Sequence, residues 1–373
     1  MKHKHIFILA LTLSLVGRPA GVNAGQVETK NAEKLTISGY TQARFVYDDA
    51  IGGSRVNNAF FVRRNRLKLA AEMSERTTMT VQVDFASSAI LKDAYVTFSP
   101  GKNLKFTAGQ FKRPVSQEAL LSASKTPTLD KGLTDEFLVG LGYAGRDQGL
   151  MASISDNQGR INLMAGIFSG AGERNVSKGD NLGAQQTELQ NRAKDFAARL
   201  VYIPKLATGS FQIAGNVSVR TAGASSGKGV SLNQTGGVHK SESFVSFGGD
   251  ASLKLDNGFA VFVEAFGGDN FSAFIDTLSN FNAPTFFAGH IAALYHAKLK
   301  NSTVVTAVQP ELRFESFDKN TDVSNDRESL LSVGMSIFFG KNVRWRNNII
   351  VNGFEDDTKS SHTQFGSELQ GLF

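Results

Sequence analysis

Residues Gln364–Phe373 have the sequence QFGSELQGLF, and they alternate between two kinds of side chain. One set of alternate positions is apolar or small: Phe365, Leu369, Gly371 and Phe373. The positions between them are polar: Gln364, Glu368 and Gln370. A period of two residues is typical of a β-strand that presents one face to an apolar phase and the other to water.

The same period recurs along the whole chain in segments of about 9–13 residues. Thr77–Phe85 and Gly209–Arg220 are clear examples. Single-chain bacterial barrels have an even number of strands, and the segments predict about sixteen. We expect the strands to begin near Leu35, Phe60, Thr77, Ile90, Leu104, Gln148, Arg160, Asp195, Gly209, Phe244, Phe259, Phe286, Val304, Ser329, Val343 and His362.

Short and long connections alternate between these segments. Short turns such as Asp256–Gly258 and Gly340–Asn342 carry the Gly, Asn and Asp residues that tight hairpins need. Long connections such as Arg113–Asp147 and Thr221–Glu242 lie between them, although the link at Ser87–Ala89 is short. This alternation is typical of a membrane barrel with short periplasmic turns and long outer loops.

The predicted fold class is therefore all-β, a transmembrane antiparallel β-barrel of about sixteen strands with long extracellular loops. Mean hydropathy is only −0.15, a value typical of a soluble protein, and a transmembrane barrel gives the same value because every second residue faces the lumen. The alternatives are a soluble β-sandwich, which would need polar outer faces on both sheets, and a β-helix. A β-helix needs a fixed short repeat, and the sequence has none.

The N-terminus predicts export. Lys2 and Lys4 precede an apolar run at Ile6–Val16, and Val22–Ala24 ends in small residues. A spanning helix needs about 20 residues, so residues 1–24 are predicted to be a cleaved signal peptide, followed by one barrel domain over 25–373. The chain has no cysteine, which excludes a lipoprotein anchor and disulfides.

Charge and motifs exclude several function classes. The net charge is +6, and the signal peptide carries three cations and no acids, so the mature chain is near 6 − 3 = +3, too low to indicate nucleic-acid binding. No cofactor or metal is predicted, because the histidines outside the signal lack ligand spacing: His239, His290, His296 and His362. Neither a G-x-S-x-G elbow nor a phosphate-binding P-loop occurs, so the chain is not expected to be an enzyme.

Five segments in order resemble the phosphate-selective porin O and P family. They are Ile37–Phe45, Phe61–Leu69, Lys92–Phe98, Lys105–Pro114 and Gly145–Gly149. The resemblance covers residues 35 to about 155, and the C-terminal half matches in barrel pattern alone.

This resemblance implies a homotrimer of sixteen-stranded barrels in the Gram-negative outer membrane, surrounded by lipid and lipopolysaccharide. It implies that Arg113–Asp147 folds into the pore as a constriction, with a short helix near Ser116–Ser124, and that inward cations lead small anions through. The lysine cluster of phosphate-selective members is thin on this loop, so phosphate or polyphosphate selectivity is left open.

Two aromatic residues near the C-terminus have expected roles. A final strand with apolar alternate positions and Phe at its end is typical of outer-membrane barrels, so Phe373 is expected to be the signal that the barrel-assembly machinery reads. Trp345 lies beside a short turn with outward parity, and we expect it in the periplasmic aromatic girdle.

The alternation along each strand also predicts which charged side chains face the lumen. Leu67 and Leu69 face outward, so Arg64, Arg66 and Lys68 should point into the lumen about 6.6 Å apart. The full predicted anion pathway is Arg44, Arg64, Arg66, Lys68, Lys105, Lys112, Arg113, Lys125 and Arg199. Arg146 and Asp147 are expected to anchor the loop as a paired charge. Arg63 and Asn65 are outward by parity, which predicts a rim or a subunit interface.

The predicted function is passive diffusion of small hydrophilic solutes with a preference for anions. The same parity places carboxylates in the lumen, including Asp84, Asp93, Glu315 and Glu368, and they oppose that preference. One alternative is a sugar- or organic-acid-specific channel, which aromatic residues at the constriction would favour. Another is a structural or adhesive barrel with a plugged lumen.

Overall fold

The computed structural model describes residues 31–49, 58–170, 172–173, 194–222, 242–270, 283–356 and 358–373. The predicted signal peptide at 1–24 lies outside the described residues. Among the described residues, no helix is long and apolar enough to cross a membrane.

The strands are named in chain order. They are β1 (Lys34–Asp48), β2 (Asn58–Ser74), β3 (Thr77–Asp84), β4 (Leu91–Gly101), β5 (Leu104–Lys112), β6 (Arg146–Ser155), β7 (Ile161–Phe168), β8 (Asp195–Tyr202), β9 (Ser210–Ala222), β10 (Glu242–Lys254), β11 (Phe259–Asp269), β12 (Thr285–Tyr295), β13 (Ala297–Lys298), β14 (Ala307–Asp318), β15 (Glu328–Phe339), β16 (Val343–Phe354) and β17 (His362–Leu372). Two helices lie between β5 and β6: α1 (Gln117–Leu120) and α2 (Gly132–Leu141).

The strands form one closed antiparallel barrel. Each strand pairs with its neighbours in sequence, and β1 pairs with both β2 and β17. The two-residue strand β13 is separated from β12 by His296 alone, and both pair with β14, so they occupy one position. The predicted sixteen-strand barrel is confirmed, and each predicted strand start lies within three residues of the observed one.

The distribution of apolar side chains is the reverse of that in a soluble domain. On β14, the outward Phe314 is 48% exposed and its neighbour Glu315 is fully buried inside the barrel. Trp345 is exposed on the outer face beside the β15–β16 turn, where a girdle residue is expected. Because hydrocarbon solvates apolar side chains, this arrangement is stable in a bilayer.

A β-bulge changes the parity of β2. Gln42 pairs with Arg64 and Ala43 pairs with Val62, so Arg63 is the extra residue. Arg63 Nη2 lies 3.6 Å from Asp130 Oδ1 inside the barrel. The prediction that Arg63 faces outward is therefore wrong, because a bulge shifts which residues of a strand point inward.

The connection between β5 and β6 contains more helix than predicted. The helix expected near Ser116–Ser124 is present as the single turn α1, which Ser116 caps by accepting a hydrogen bond from the Ala119 amide. The longer helix α2 was not predicted from the sequence. It ends at Gly142, whose φ of 78° is left-handed. Leu138 and Leu141 of α2 are buried in an apolar cluster with Phe286 of the barrel wall.

Candidate functional site: a cationic cavity inside the barrel

The segment from 113 to 145, named the inner segment here, contacts most of the inner surface of the barrel. On β14, Arg313 Nη1 lies 2.6 Å from Glu118 Oε1 of the inner segment. On β11, Glu264 accepts hydrogen bonds from Ser116 Oγ at 2.6 Å and from the Glu118 amide at 2.7 Å. Every contact joins an inward-facing strand residue to the segment.

The contacts continue on β16, β17 and β1. Arg344 donates to the carbonyl oxygens of Thr126 and Pro127, at 3.0 and 2.7 Å. Arg346 Nη1 donates to the Thr128 carbonyl at 3.0 Å. Arg44 pairs with Asp130 of the inner segment and, at 2.7 Å, with Glu368. We call the inner face of β8–β17 the anchored wall, because its side chains hold the inner segment.

Two predicted anion-pathway residues form buried ion pairs. Arg113 is 1% exposed, pairs with Asp147 at 2.6 Å and also pairs with Asp195 of β8. Arg199 is buried against Asp250. Both point inward, as parity indicates, but neither lines the cavity described below, and a buried guanidinium paired with a carboxylate presents little net charge to a solute.

The predicted pairing of Arg146 with Asp147 is also wrong. Arg146 Nε lies 2.8 Å from Asp93 Oδ1, and its Nη1 lies 3.1 Å from Glu173 Oε1. Asp147 instead holds Arg113 and accepts a hydrogen bond from the Gly170 amide at 2.9 Å. Both side chains are buried inside the barrel, and each is held by partners from other parts of the chain rather than by its neighbour.

A cavity of about 600 Å³ lies between the inner segment and the strands β1–β6. We call the inner face of β2–β6 the open wall. Among the described residues that line this cavity, six are cationic and one is acidic. The cations are Arg66, Lys68, Lys105, Lys112, Lys125 and Arg146. The acid is Asp93, which Arg146 already binds, so the cavity has a clear positive excess.

Five of the nine predicted anion-pathway residues therefore meet in one place: Arg66, Lys68, Lys105, Lys112 and Lys125. Among the described residues, no ion pair engages the three lysines at 68, 105 and 125. Lys112 Nζ donates to the carbonyls of Ala119 and Leu121 at 2.7 and 2.6 Å, so it also fixes the end of α1.

Arg44 and Arg64, the remaining two, lie near Asp130 and do not line the cavity. Arg64 donates to Gln42 Oε1 at 3.0 Å, and its Nη2 is 3.8 Å from Asp130 Oδ1. They extend the row of cations on β1 and β2 towards the end of the barrel that carries the long connections.

The sequence model of the phosphate-selective porin O and P family matches residues 36–234. This match covers more than half of the 373 residues. The chain belongs to this family. It is a porin of the Gram-negative outer membrane. A search of functionally curated proteins finds no match to it.

Solved structures share the barrel fold of the porin at low sequence identity. OprB of Pseudomonas putida has a TM-score of 0.63 and 10% identity, covering 91% of this chain and 94% of that one. The anion-selective porin of Comamonas acidovorans has a TM-score of 0.57 and 11% identity, covering 91% and 99%. The trimer form of OmpT from Vibrio cholerae has a TM-score of 0.56 and 9% identity, covering 91% and 99%.

Two carboxylates of the inner segment differ in their electrostatics. Burial opposes ionisation of Asp130, but the Arg44 guanidinium, with Arg63 and Arg64, lowers its pKa to about 2. Burial raises the pKa of Asp135 to about 6, and Lys131 Nζ, 3.8 Å away, compensates only in part. The porin therefore holds one carboxylate firmly charged and another near its titration point.

Some residues of the site were missed by sequence reasoning. Tyr40 and Tyr95 line the cavity, and Arg146 lines it as well as binding Asp93. Tyr40 has the same parity on β1 as Gln42 and Arg44, so parity alone could have placed it inside. Among the described residues of the porin, no group of three or more His, Asp or Glu side chains is placed to hold a metal ion.

Proposed function

We propose that this porin is a passive diffusion channel for small hydrophilic solutes and that it prefers anions. The observation that carries this proposal is the cavity lined by Lys68, Lys105 and Lys125, which have no ion pair among the described residues, while its one acidic side chain, Asp93, is already paired with Arg146. Arg66 is the other lining cation with a carboxylate partner, since its Nε lies 2.8 Å from Asp84 Oδ2. The lysines at 68, 105 and 125 keep their charge for a passing solute.

The expected strength of this preference follows from Coulomb's law. One unit charge at 4 Å is worth roughly 1 kcal/mol in bulk water and about 4 kcal/mol at a partly desolvated site. Salt screens charges beyond about 8–10 Å, so only a narrow passage selects strongly. Attraction must also stay weak enough for the ion to leave.

The inner segment is proposed to form that narrow passage. Its residues Leu120, Ser122, Ser124 and Lys125 line the cavity opposite the open wall. Hydrogen bonds and ion pairs to the anchored wall fix its position on the other side. The proposed constriction is therefore the inner segment, which lies within the Arg113–Asp147 connection.

Reversal potentials in planar bilayers under a potassium chloride gradient test the anion preference. We expect the wild-type porin to favour chloride, and the double variant Lys68→Gln, Lys105→Gln to lose about fivefold of its anion-to-cation permeability ratio, since about 1 kcal/mol corresponds to about that factor. Lys341→Gln, an exposed lysine in the β15–β16 turn, is the matched control and should leave the ratio unchanged.

Two results would contradict the proposal. Cation preference in the wild-type porin would overturn it directly. An absence of conductance steps would instead favour the barrel with a plugged lumen.

Homotrimeric assembly is proposed from the outer surface of β16, β17, β1 and β2. Thr41 Oγ1 donates to Asn65 Oδ1 at 3.1 Å, and Ser367 Oγ donates to Asn347 Oδ1 at 2.8 Å, all on outward positions well inside their strands. Among the described residues, neither Asn amide nitrogen has a hydrogen-bond partner. An unpaired amide facing hydrocarbon is costly, so a polar patch there favours contact with another copy of the chain.

Cysteine cross-linking tests this assembly, because the chain has no cysteine of its own. In a cyclic oligomer, the β1–β2 side of one copy meets the β16–β17 side of the next. The double variant Asn65→Cys, Asn347→Cys should give disulfide-linked trimers in membranes. Leu163→Cys, Leu312→Cys, two exposed outward positions elsewhere on the barrel, should stay monomeric on denaturing gels.

A further inference from the structure

One side of the cationic cavity is apolar and aromatic. Tyr95 of β4, Phe111 of β5, Met151 of β6 and Leu120 of the inner segment all line it. From this arrangement we propose that the preferred solutes are organic carboxylates that carry a single aromatic ring. The inference rests on the proposed anion preference and names the class of anion.

The aromatic side is built as a row of rings. Tyr95 meets Phe111 edge-on with centroids 6.1 Å apart, and Phe111 meets Phe168 at 5.6 Å. Phe111 and Phe168 are buried, whereas Tyr95 is only half-buried. The two inner rings therefore hold Tyr95 in place, and the row ends with an exposed ring at the cavity.

The backbone gives this ring its position. Tyr95 is paired with Gly109 on β5, where φ is 128°. A Cβ at Gly109 would collide with the Ala94 carbonyl oxygen and the Tyr95 backbone. Only glycine allows the two strands to approach so closely.

The polar side offers a carboxylate both charge and a hydrogen bond. Lys68, Lys105 and Lys125 line the cavity without an ion pair among the described residues. Tyr40 also lines it, is 5% exposed, and its hydroxyl has no hydrogen-bond partner among the described residues. The ammonium groups of these lysines can both pair with a carboxylate and donate hydrogen bonds to it.

The combination of the two sides distinguishes between classes of anion. A hydrated inorganic anion such as phosphate gains attraction from the lysines and nothing from the apolar side. A benzoate-like solute pairs its carboxylate with the lysines and removes its ring from water against Tyr95 and Met151. A cavity of about 600 Å³ is within the range of roughly 300–1,000 Å³ typical of sites for organic ligands.

Inhibition of chloride current through single channels tests the inference, with potassium benzoate, acetate and phosphate as probes. We expect benzoate to reduce the current at a concentration about tenfold lower than acetate or phosphate. Tyr95→Ser should reduce the benzoate-to-acetate ratio to about twofold, and Tyr95→Phe should retain it. Tyr202→Leu, an exposed outward tyrosine at the end of β8, is the control and should change nothing.

The outcomes separate this inference from the proposed function. Lys68→Gln should weaken benzoate and acetate alike and leave their ratio unchanged. Equal potency of benzoate and acetate in an anion-selective wild-type porin would overturn the aromatic preference alone, as would stronger inhibition by phosphate than by benzoate. If the benzoate-to-acetate ratio is unaffected by Tyr95→Ser, the aromatic side of the cavity does not bind the solute ring, which would also overturn the inference.

Discussion

The anchored wall and the open wall both carry inward cations but use them differently. On the anchored wall, Arg199 and Arg313 are closed against carboxylates. On the open wall, Lys68 and Lys105 line a cavity without such partners. Direction into the lumen is therefore not enough to make a cation part of a pathway. Its partners decide whether it holds the fold or meets a solute.

The largest expected effect comes from removing a carboxylate of the anchored wall. Glu368 is fully buried between Arg44 and Arg346, so Glu368→Ala leaves two buried guanidinium groups with one partner fewer. We expect a loss of about 3–5 kcal/mol of unfolding free energy. Urea unfolding in lipid vesicles, followed by circular dichroism and gel mobility, measures it.

The same variant should also release part of the inner segment. Its single-channel conductance should rise above that of the wild-type porin as Asp130 and Leu129 lose contact with Arg44. Unchanged stability together with unchanged conductance would mean that the anchored wall does not hold the segment.

A smaller effect is expected from pH. The pKa of Asp135 is raised from 3.8 to about 6 by burial, so the folded state binds its proton more tightly than the unfolded state does. Stability from this group is present below about pH 4 and is lost as pH rises to about 6. The difference corresponds to at most about 3 kcal/mol.

Asp135→Asn should therefore match the wild-type porin in stability near pH 4 and exceed it near pH 7, in unfolding measured across that range.

Asp130→Asn should change the pH dependence of stability in the opposite direction. The pKa of Asp130 is lowered to about 2, so its carboxylate stabilises the fold above about pH 4 and loses that contribution as pH falls towards 2. Identical pH profiles for the two variants would refute this assignment.

Ionic strength should have a smaller effect, and it should act on the two walls differently. Raising potassium chloride from 0.1 to 1 M shortens the screening length from about 10 to about 3 Å. The anion-to-cation permeability ratio, set by exposed lysines, should fall severalfold. The unfolding free energy should change little, because the ion pairs of the anchored wall are buried. A large salt effect on unfolding would contradict this division.

The smallest effect is expected outside both walls. Lys359 Nζ lies 3.2 Å from Glu328 Oε1 near the ends of β15 and β17, and both side chains are partly exposed. Glu328→Ala should cost at most about 1 kcal/mol. The difference between its stability loss and that of Glu368→Ala, under the same unfolding conditions, measures how much more a buried ion pair contributes than an exposed one.

Local patterns were sufficient to predict the barrel. Period-two alternation and turn residues placed strands such as β3 and β16 at their correct first residues, Thr77 and Val343. The inward parity of Arg66 and Lys68 followed from the same alternation, and both residues line the cavity. Each of these inferences needs information from one strand alone.

The failed predictions needed information from distant parts of the chain. The alternation could not show that Arg113 is paired, because its partner Asp195 lies 82 residues away. Arg63 was assigned outward because one bulge in the β1–β2 pairing changes parity without a sequence signal as strong as glycine or proline. Helix α2 was missed because it is stabilised by packing against the wall and has no side-chain N-cap hydrogen bond.

The partners of the inner segment also constrain the order in which the chain can fold. The partner of Glu118 is Arg313, 195 residues later in the chain, and the partner of Thr126 is Arg346, 220 residues later. Until the last strands have joined the sheet, carboxylates in the middle of the chain lack their guanidinium partners. Closure of the barrel and docking of the inner segment should therefore occur late and together. A partly folded chain would have neither a defined pore nor a stable β1–β17 pairing.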